Sequence, residues 1–444
     1  MKRMVFILFT FQFSLFTSKA QTWTMQQCMQ YAVAHNHEVK RAELEFDNFK
    51  AGKTKAIGSF LPFVDAGIGV QYNFGRAIDP ETNGYTDVST FYNGYSLEAS
   101  LPVFDGFNRV NALKAAKASE LMGKSALRQQ QDKTALGVLQ AFASVAFYDG
   151  LVKMADEKVQ ETTLLLKQTR LYEEVGRKSA ADVAQVESQQ AEADYELTRQ
   201  QNLYASALLE LKKAMAYPLE DSLTLEFIPT VGTNDSQGGN NSFPVREYYL
   251  SKELSPELQA ARYQMQASKY EWRQARASLF PSLSLSAGLN TTYYKTLHSE
   301  TAASFSNQFK NNMGEFLGAT LSIPLFNRLQ TITSIRKAKN NYKIAREAYE
   351  QKQLELEKLS REAWQDWLGY LKQTEQMEKK VEADSLSYQL TRRQFEEGLS
   401  TAIDLHTTSA QLLNSKATLL QCQLMAMVKE QLVRYYKGET IWTE

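Results

Sequence analysis

Residues 169–183 read TRLYEEVGRKSAADV, and residues 391–405 read TRRQFEEGLSTAIDL. The two stretches lie 222 residues apart, and the likeness runs upstream of them. Ala141/Ala363, Tyr148/Tyr370, Lys158/Lys380, Val159/Val381 and Leu164/Leu386 match at the same offset, and the total is eleven identities in a 42-residue window. Chance gives roughly two or three for average composition. Nearer the N-terminus, Glu38, Ala42, Ser59, Pro62 and Gly69 recur 219 residues later as Glu257, Ala261, Ser278, Pro281 and Gly288, and Ser100, Pro102 and Phe104 match Ser322, Pro324 and Phe326. The chain is one unit written twice. The period is far too long for a solenoid, so this is an internal duplication. The expected division is a first repeat over 21–229, a Gly/Asn/Ser-rich linker loop over 230–243 and a second repeat over 244–444.

Each half reads helix, strand, strand, long helix, turn, helix. The first helix is expected over about 25–57. Tyr95, Leu97, Ala99 and Leu101 alternate with polar residues, as do Leu283, Leu285, Ala287 and Leu289, and Leu317, Ala319, Leu321 and Ile323. Period two with one apolar face is a strand signature. These runs, and the Gly- and aromatic-rich 63–74, have the length of tilted membrane-spanning strands. Their ends carry aromatics such as Phe60, Tyr72, Phe104, Phe280 and Phe326, as in the girdles of membrane barrels. Asp105 and Asn327 follow two strands directly and are expected as N-caps. From 105 to about 172 there is no Pro, so a continuous helix there would be roughly 100 Å long. Val138, Val145, Val152, Val159 and Leu166 repeat by seven, with Ala141, Tyr148, Ala155, Thr162 and Thr169 as small companions. That is a close-packed coiled-coil seam. In the last helix Leu412, Leu419 and Ala426 repeat by seven.

Gly (21) and Pro (9) make up about 7% of 444 residues, against roughly 12% in average usage, which suits long helices. Lys+Arg and Asp+Glu are both 50, which excludes the basic excess of a nucleic-acid binder. Lys2 and Arg3, an apolar run over 4–16 and Ser18-Lys19-Ala20 read as an export signal cut near Ala20. No later window is expected to span a bilayer as a helix. Cys28 and Cys422 exclude a disulfide-rich scaffold; a bridge between them and two free thiols both stay open. His35 and His37 are two apart and make poor metal partners. Trp364 and Trp367 stand at i,i+3 and read as packing. No catalytic group, metal site or cofactor is expected.

Four strands per chain leave two bare sheet edges, which lipid does not tolerate. Copies must close the sheet. Eight strands close around side chains and twelve leave an opening, so a pore needs at least three chains.

The two turns, 172–183 and 395–405, resemble the aromatic–Gly–Ser/Thr–Asp–aliphatic pattern of the TolC family of outer-membrane efflux proteins. Residues 36–39 (NHEV) and 255–258 (SPEL), the strand exits 102–106 and 324–327, and the outer-loop stretch 74–83 are similar to that family's motifs as well. The resemblance covers nearly all of the chain after the signal. It implies an α+β membrane protein, a homotrimer whose twelve-stranded β-barrel in the Gram-negative outer membrane stands on a periplasmic α-helical barrel. It implies an exit duct fed by a periplasmic adaptor (membrane fusion) protein and an inner-membrane pump, for efflux or type I secretion. Gly176 and Gly398 would form the adaptor-docking turns. Asp404, with Asp182 as its counterpart, would form a carboxylate ring that narrows the tunnel. Thr407 stands where the family has a second ring Asp, Phe395 where it has a gate Tyr, and Ser400 where it has a gate Arg. Arg177 and Lys178 would instead pair with Glu396, Glu397 or Asp404 to hold the tunnel closed. An Asp near the start of a return helix also suits an N-cap. A coiled-coil scaffold anchored in the membrane without a lumen is the alternative; a membrane enzyme finds no residues to support it.

Overall fold

The computed structural model describes residues 22–78, 83–87, 89–227, 255–297 and 303–442. The expected signal (1–20) and linker (230–243), His298, which the sequence places on an outer-loop surface, and residues 79–82 of the outer-loop stretch lie outside them. In chain order the helices are α1 (Met25–His35), α2 (His37–Gly58), α3 (Asn108–Glu174), α4 (Ala180–Met215), α5 (Pro256–Ala277), α6 (Phe305–Asn311), α7 (Gln330–Glu396) and α8 (Ala402–Tyr436). The strands are β1 (Thr22–Trp23), β2 (Phe63–Asn73), β3 (Arg76–Ile78), β4 (Tyr85–Asp87), β5 (Thr90–Phe104), β6 (Thr224–Leu225), β7 (Ser282–Thr296) and β8 (Gly314–Ser322). Two compact units form, and each draws on both halves of the chain: one takes segments of 41–129 and 253–357, the other of 1–40, 130–252 and 358–444.

The first unit holds a four-stranded antiparallel sheet in the order β2-β5-β7-β8. Directly opposed residues share a face. One face carries Val64, Ile68 and Val70 from β2, Leu97 and Ala99 from β5, Leu285, Ala287 and Leu289 from β7, and Leu317 and Leu321 from β8. The Val, Ile and Leu side chains among these stand open, Ile68 at 73% and Leu317 at 84% exposure. An apolar surface of that extent marks an interaction or membrane face. The opposite face carries Ser96, Ser100, Ser286, Asn290 and Thr320, with Asp65 directly across from Glu98. A Cβ on Gly288 would lie 2.5 Å from the Phe316 ring, which packs over the bare backbone there and would have to shift.

In place of the simple hairpin expected from the sequence, the connection between β7 and β8 contains α6. The β7–β8 ladder ends at Asn290–Gly314 while β7 runs on to Thr296. The overhang is satisfied by side chains. Asn312 Nδ2 donates to the Thr292 carbonyl at 2.8 Å, and Gln308 Nε2 donates to the Tyr294 carbonyl at 2.8 Å while its Oε1 accepts from the Tyr294 N–H at 2.9 Å. Leaving such groups unpaired next to lipid would cost several kcal/mol, on the order of 3 or more. Phe305 and Phe309 pack edge-on against Tyr293 and Tyr95, each at 5.3 Å, and fix α6 to the apolar face.

Three expectations about the helices need correction. The first helix is broken at Asn36, whose extended backbone (ψ 134) ends α1. Its carboxamide accepts from the Glu38 N–H at 2.8 Å and so starts α2. The helices after β5 and β8 do not start on the residue after the strand. Phe107 (φ 68) follows Gly106 (φ 66), and Leu329 (φ 63) follows Arg328 (φ 56), so two left-handed residues turn the chain first in both repeats. Asp105 and Asn327 still accept from helix amides, those of Arg109 at 3.1 Å and Thr331 at 3.3 Å. Finally, α3 does contain an 18-residue window of mean hydropathy 1.5, long and apolar enough to cross a membrane. The α3 residues Ala135, Val138, Leu139, Phe142 and Val145 are buried in the second unit, against Cys28, Met29 and Ala32 of α1 and Leu211 and Met215 of α4.

Further along α3 the buried register changes. Val138 and Val145 are fully buried, but beyond 152 the buried residues are Ala155, Thr162, Leu165 and Thr169, while Val152, Val159 and Leu166 are half-buried. A straight helix drifts about 20° per heptad from a 3.5-residue repeat, which moves the seam onto the small companions. Thr162 and Thr169 hydroxyls donate to carbonyls of their own helix, Lys158 at 2.9 Å and Leu165 at 2.8 Å, so their burial leaves no hydroxyl unmet. Ser409, Ser415, Cys422 and Ala426 give α8 an equally thin buried edge. Both cysteines are free, and burial pushes the Cys28 thiol up to about 12.

Candidate functional site: two matched helix-hairpin tips

The α3–α4 and α7–α8 connections have the same local construction. Gly176 (φ 72) follows α3 and Gly398 (φ 80) follows α7. The Gly176 N–H donates to Glu173 O at 2.8 Å and the Arg177 N–H to Tyr172 O at 2.7 Å; Gly398 donates to Phe395 O at 3.1 Å and Leu399 to Gln394 O at 2.8 Å. This double bond pattern around a left-handed glycine is the Schellman motif, which satisfies carbonyls a helix end leaves open. Three residues on, Ser179 and Thr401 cap the return helices, each in a reciprocal capping box with the Asp three residues ahead.

The capping residues are therefore Ser179 and Thr401, and Asp182 and Asp404 stand at the third helical position rather than at the cap. Asp182 accepts from the Ser179 N–H at 2.9 Å and its hydroxyl at 2.8 Å. Asp404 accepts from the Thr401 N–H at 3.1 Å, its hydroxyl at 2.6 Å and the Ser400 hydroxyl at 3.3 Å. The backbone bond from Ser179 first, then its hydroxyl, holds the Asp182 carboxyl below the usual carboxylate range; for Asp404 the Thr401 hydroxyl leads. Asp404 is exposed and Asp182 half-buried. Each aspartate thus ties its turn together and carries a negative charge at neutral pH.

A carboxyl whose pKa falls on folding contributes stability above its unfolded value, about 3.9 for Asp, and loses it as pH drops through the lower folded value. Amide exchange in the peptides spanning 172–183 and 395–405, corrected for intrinsic rates, is expected to quicken below about pH 4 relative to the rest of α3 and α7. In Asp182→Asn/Asp404→Asn it should already be fast at pH 7 and respond little to acid. Equal protection of the wild-type tips at pH 3 and 6 would contradict this role.

The other expected gate residues fall into two groups. Phe395 is 2% exposed and packs with Leu165, Val186, Ala402 and Leu405, a small core shared by both tips. Lys178 Nζ lies 3.9 Å over its ring, and the Arg177 guanidinium 5.8 Å over that of Tyr172. Gln189 Nε2 adds a 3.1 Å bond to the Ala402 carbonyl. Glu396 pairs with Arg392 at 3.3 Å on its own helix, Glu397 is exposed, and the Thr407 hydroxyl donates to Ile403 O at 2.9 Å. Within one chain Lys178 meets the Phe395 ring rather than Glu396, Glu397 or Asp404. Sequence reasoning missed Ser179, Thr401 and the partners of Phe395. The pattern Ser/Thr-x-x-Asp ahead of an apolar run was the available signal for the caps.

Residues 28–216 and 248–434 match the model of the outer membrane efflux protein family. The chain belongs to that family. As an outer membrane efflux protein it is similar to the toluene efflux pump outer membrane protein TtgC of Pseudomonas putida, 23% identical over 437 residues that cover 93% of this chain and 82% of that protein. It is also similar to the outer membrane protein TolC of Escherichia coli, 21% identical over 446 residues, 97% of this chain and 85% of that protein. Crystal structures of CusC align at a TM-score of 0.80 with 15% identity, covering 94% of this chain and 92% of theirs. VceC of Vibrio cholerae aligns at 0.78 with 14% identity over 94% and 96%. The fold is that of these outer-membrane channels, and members of the family are channels rather than enzymes.

Proposed function

We propose that three copies of this chain close into a twelve-stranded barrel on an α-helical tunnel and form a passive exit duct across the outer membrane. The observation that carries the proposal is the sheet: one apolar face, one polar face and two edges, β2 and β8, that pair with nothing among the described residues. Lipid excludes bare edges, and only closure with other copies removes them. Two copies would fill the barrel with side chains, whereas three leave a lumen lined by the polar face. The division into repeats at 230–243, the signal cut near Ala20 and the homotrimer belong to the same proposal. So do the partners, a periplasmic adaptor and an inner-membrane pump; the relatives' names, which include a toluene efflux pump, support such an assembly.

The tips supply the adaptor-docking turns and the constriction. In a trimer Asp182 and Asp404 each occur three times, as carboxylates fixed by their capping boxes, Asp404 exposed and Asp182 half-buried. Arg177 and Lys178 of one turn would face Glu396, Glu397 or Asp404 of another chain. Exposed pairs contribute only about 0 to 1 kcal/mol each, so closure needs several and loosens with salt. In planar bilayers, Asp404→Ala is expected to lose cation preference, and Arg177→Ala/Lys178→Ala to conduct more than wild type at low salt. If cation preference survives the loss of Asp404, that residue serves the turn alone; a trimeric wild type that never conducts would favour the scaffold.

A further inference from the structure

A band of excess positive charge lies on the four helices where they meet the sheet; of its cations Lys50, Lys53 and Arg109 are in ion pairs. In the thirteen residues of each helix nearest a strand (46–58, 108–120, 265–277 and 330–342) there are twelve Lys and Arg against three acids, in a chain balanced at 50 and 50. Two of those acids are already matched, Asp47 by Lys50 at 2.8 Å and Glu120 by Lys53 at 2.7 Å. Lys114, Arg273, Arg276, Arg336, Lys337 and Lys339 are exposed. No salt bridge engages any of the six among the described residues. At about 1.5 Å per helical residue, Arg276 and Arg273 stand within roughly 6 Å of the end of α5, and Lys114 and Arg336 about 9 Å from the starts of α3 and α7. That depth matches the polar headgroup layer, since a bilayer of about 30 Å hydrocarbon measures 40–45 Å with its headgroups.

The same place carries amphipathic rings. Arg276 and Lys339 lie 5.8 and 5.9 Å from the Trp272 ring, which stacks on Tyr342 at 6.0 Å, and Arg273 and Lys114 lie 5.6 and 6.0 Å from Tyr270. Trp and Tyr beside Lys and Arg is the composition of a membrane–water boundary. We propose that this basic, aromatic band is a binding surface for anionic phospholipid headgroups of the periplasmic leaflet, gripping the rim of the bilayer under the barrel. The proposal rests on the reading that the sheet spans the membrane.

The test uses the full-length protein reconstituted in vesicles of phosphatidylcholine with spin-labelled phosphatidylglycerol or phosphatidylcholine as probe. Barrel insertion is checked first by flotation and heat-modifiable migration, so a failed insertion strikes the spanning reading and not this one. The expected result is a preference for phosphatidylglycerol of about fivefold or more at low salt, the effect of even one Lys or Arg near an anionic surface, fading toward parity at high salt. Arg273→Gln/Arg276→Gln/Arg336→Gln/Lys339→Gln should insert normally and lose the preference. Equal partition of the two lipids in the inserted wild type would overturn the proposal. So would a preference that the fourfold variant keeps, or a variant that changes only single-channel ion selectivity, which would put the band on the lumen.

Discussion

Leu97→Arg is expected to reduce the protein recovered in membranes more than tenfold, while Thr320→Lys inserts as wild type does. Leu97 sits midway along β5 on the apolar face, between Ala66 of β2 and Leu289 of β7. Thr320 stands on the other face, opposite Ser284. A cationic side chain at the bilayer midplane of a barrel costs about 2–4 kcal/mol, and a closed trimer would carry three. The same charge on the polar face keeps its water. Flotation of membranes after expression reads both variants. Equal recovery of the two would mean that the apolar face is covered by protein instead of lipid.

The next largest effect is expected at the tips. Gly176→Val/Gly398→Val should leave insertion intact and lower pump-dependent export by at least about tenfold. Both glycines have left-handed backbones, and a Cβ added at either would meet no atom within 4 Å, so the strain is conformational and not a clash. An L residue in this region costs on the order of 1–2 kcal/mol, and more when β-branched. Asparagine tolerates the region, so Gly176→Asn/Gly398→Asn should export far better than the valine pair. Normal export by the valine variants would remove the tips from the docking surface. A loss shared by the asparagine variants would point to the glycine's lack of a side chain instead of its backbone angle.

Three of the four long strands were legible because each alternates around one apolar face, the fourth only as a Gly- and aromatic-rich run, and the two turns because each repeats the other; the short strands β1, β3, β4 and β6 carry no such pattern. Other features resisted for physical reasons. The break at Asn36 depends on one side chain taking over the amide of Glu38, the second residue of α2, at 2.8 Å, and the residues around it carry no breaker. The left-handed pairs Gly106/Phe107 and Arg328/Leu329 are dictated by the strand-to-helix turn, and only one of the four is a glycine. The drift of the α3 seam from valines to Thr162 and Thr169 follows from helix geometry that a strict seven-residue count ignores. Phe395 stood in a position whose family role suggested a gate, yet its ring is enclosed by Leu405 across its own turn and by Leu165 and Val186, which are distant in sequence. No local pattern reports that kind of burial.

Closure by copies is tested most directly by the mass of the inserted protein in nanodiscs, measured one particle at a time. One chain of 444 residues is 50.4 kDa. A single population of three chains, near 150 kDa after subtraction of lipid and scaffold, is the predicted result, because four strands cannot shut a lumen and twelve can. A stable population of single chains that inserts and conducts would contradict it.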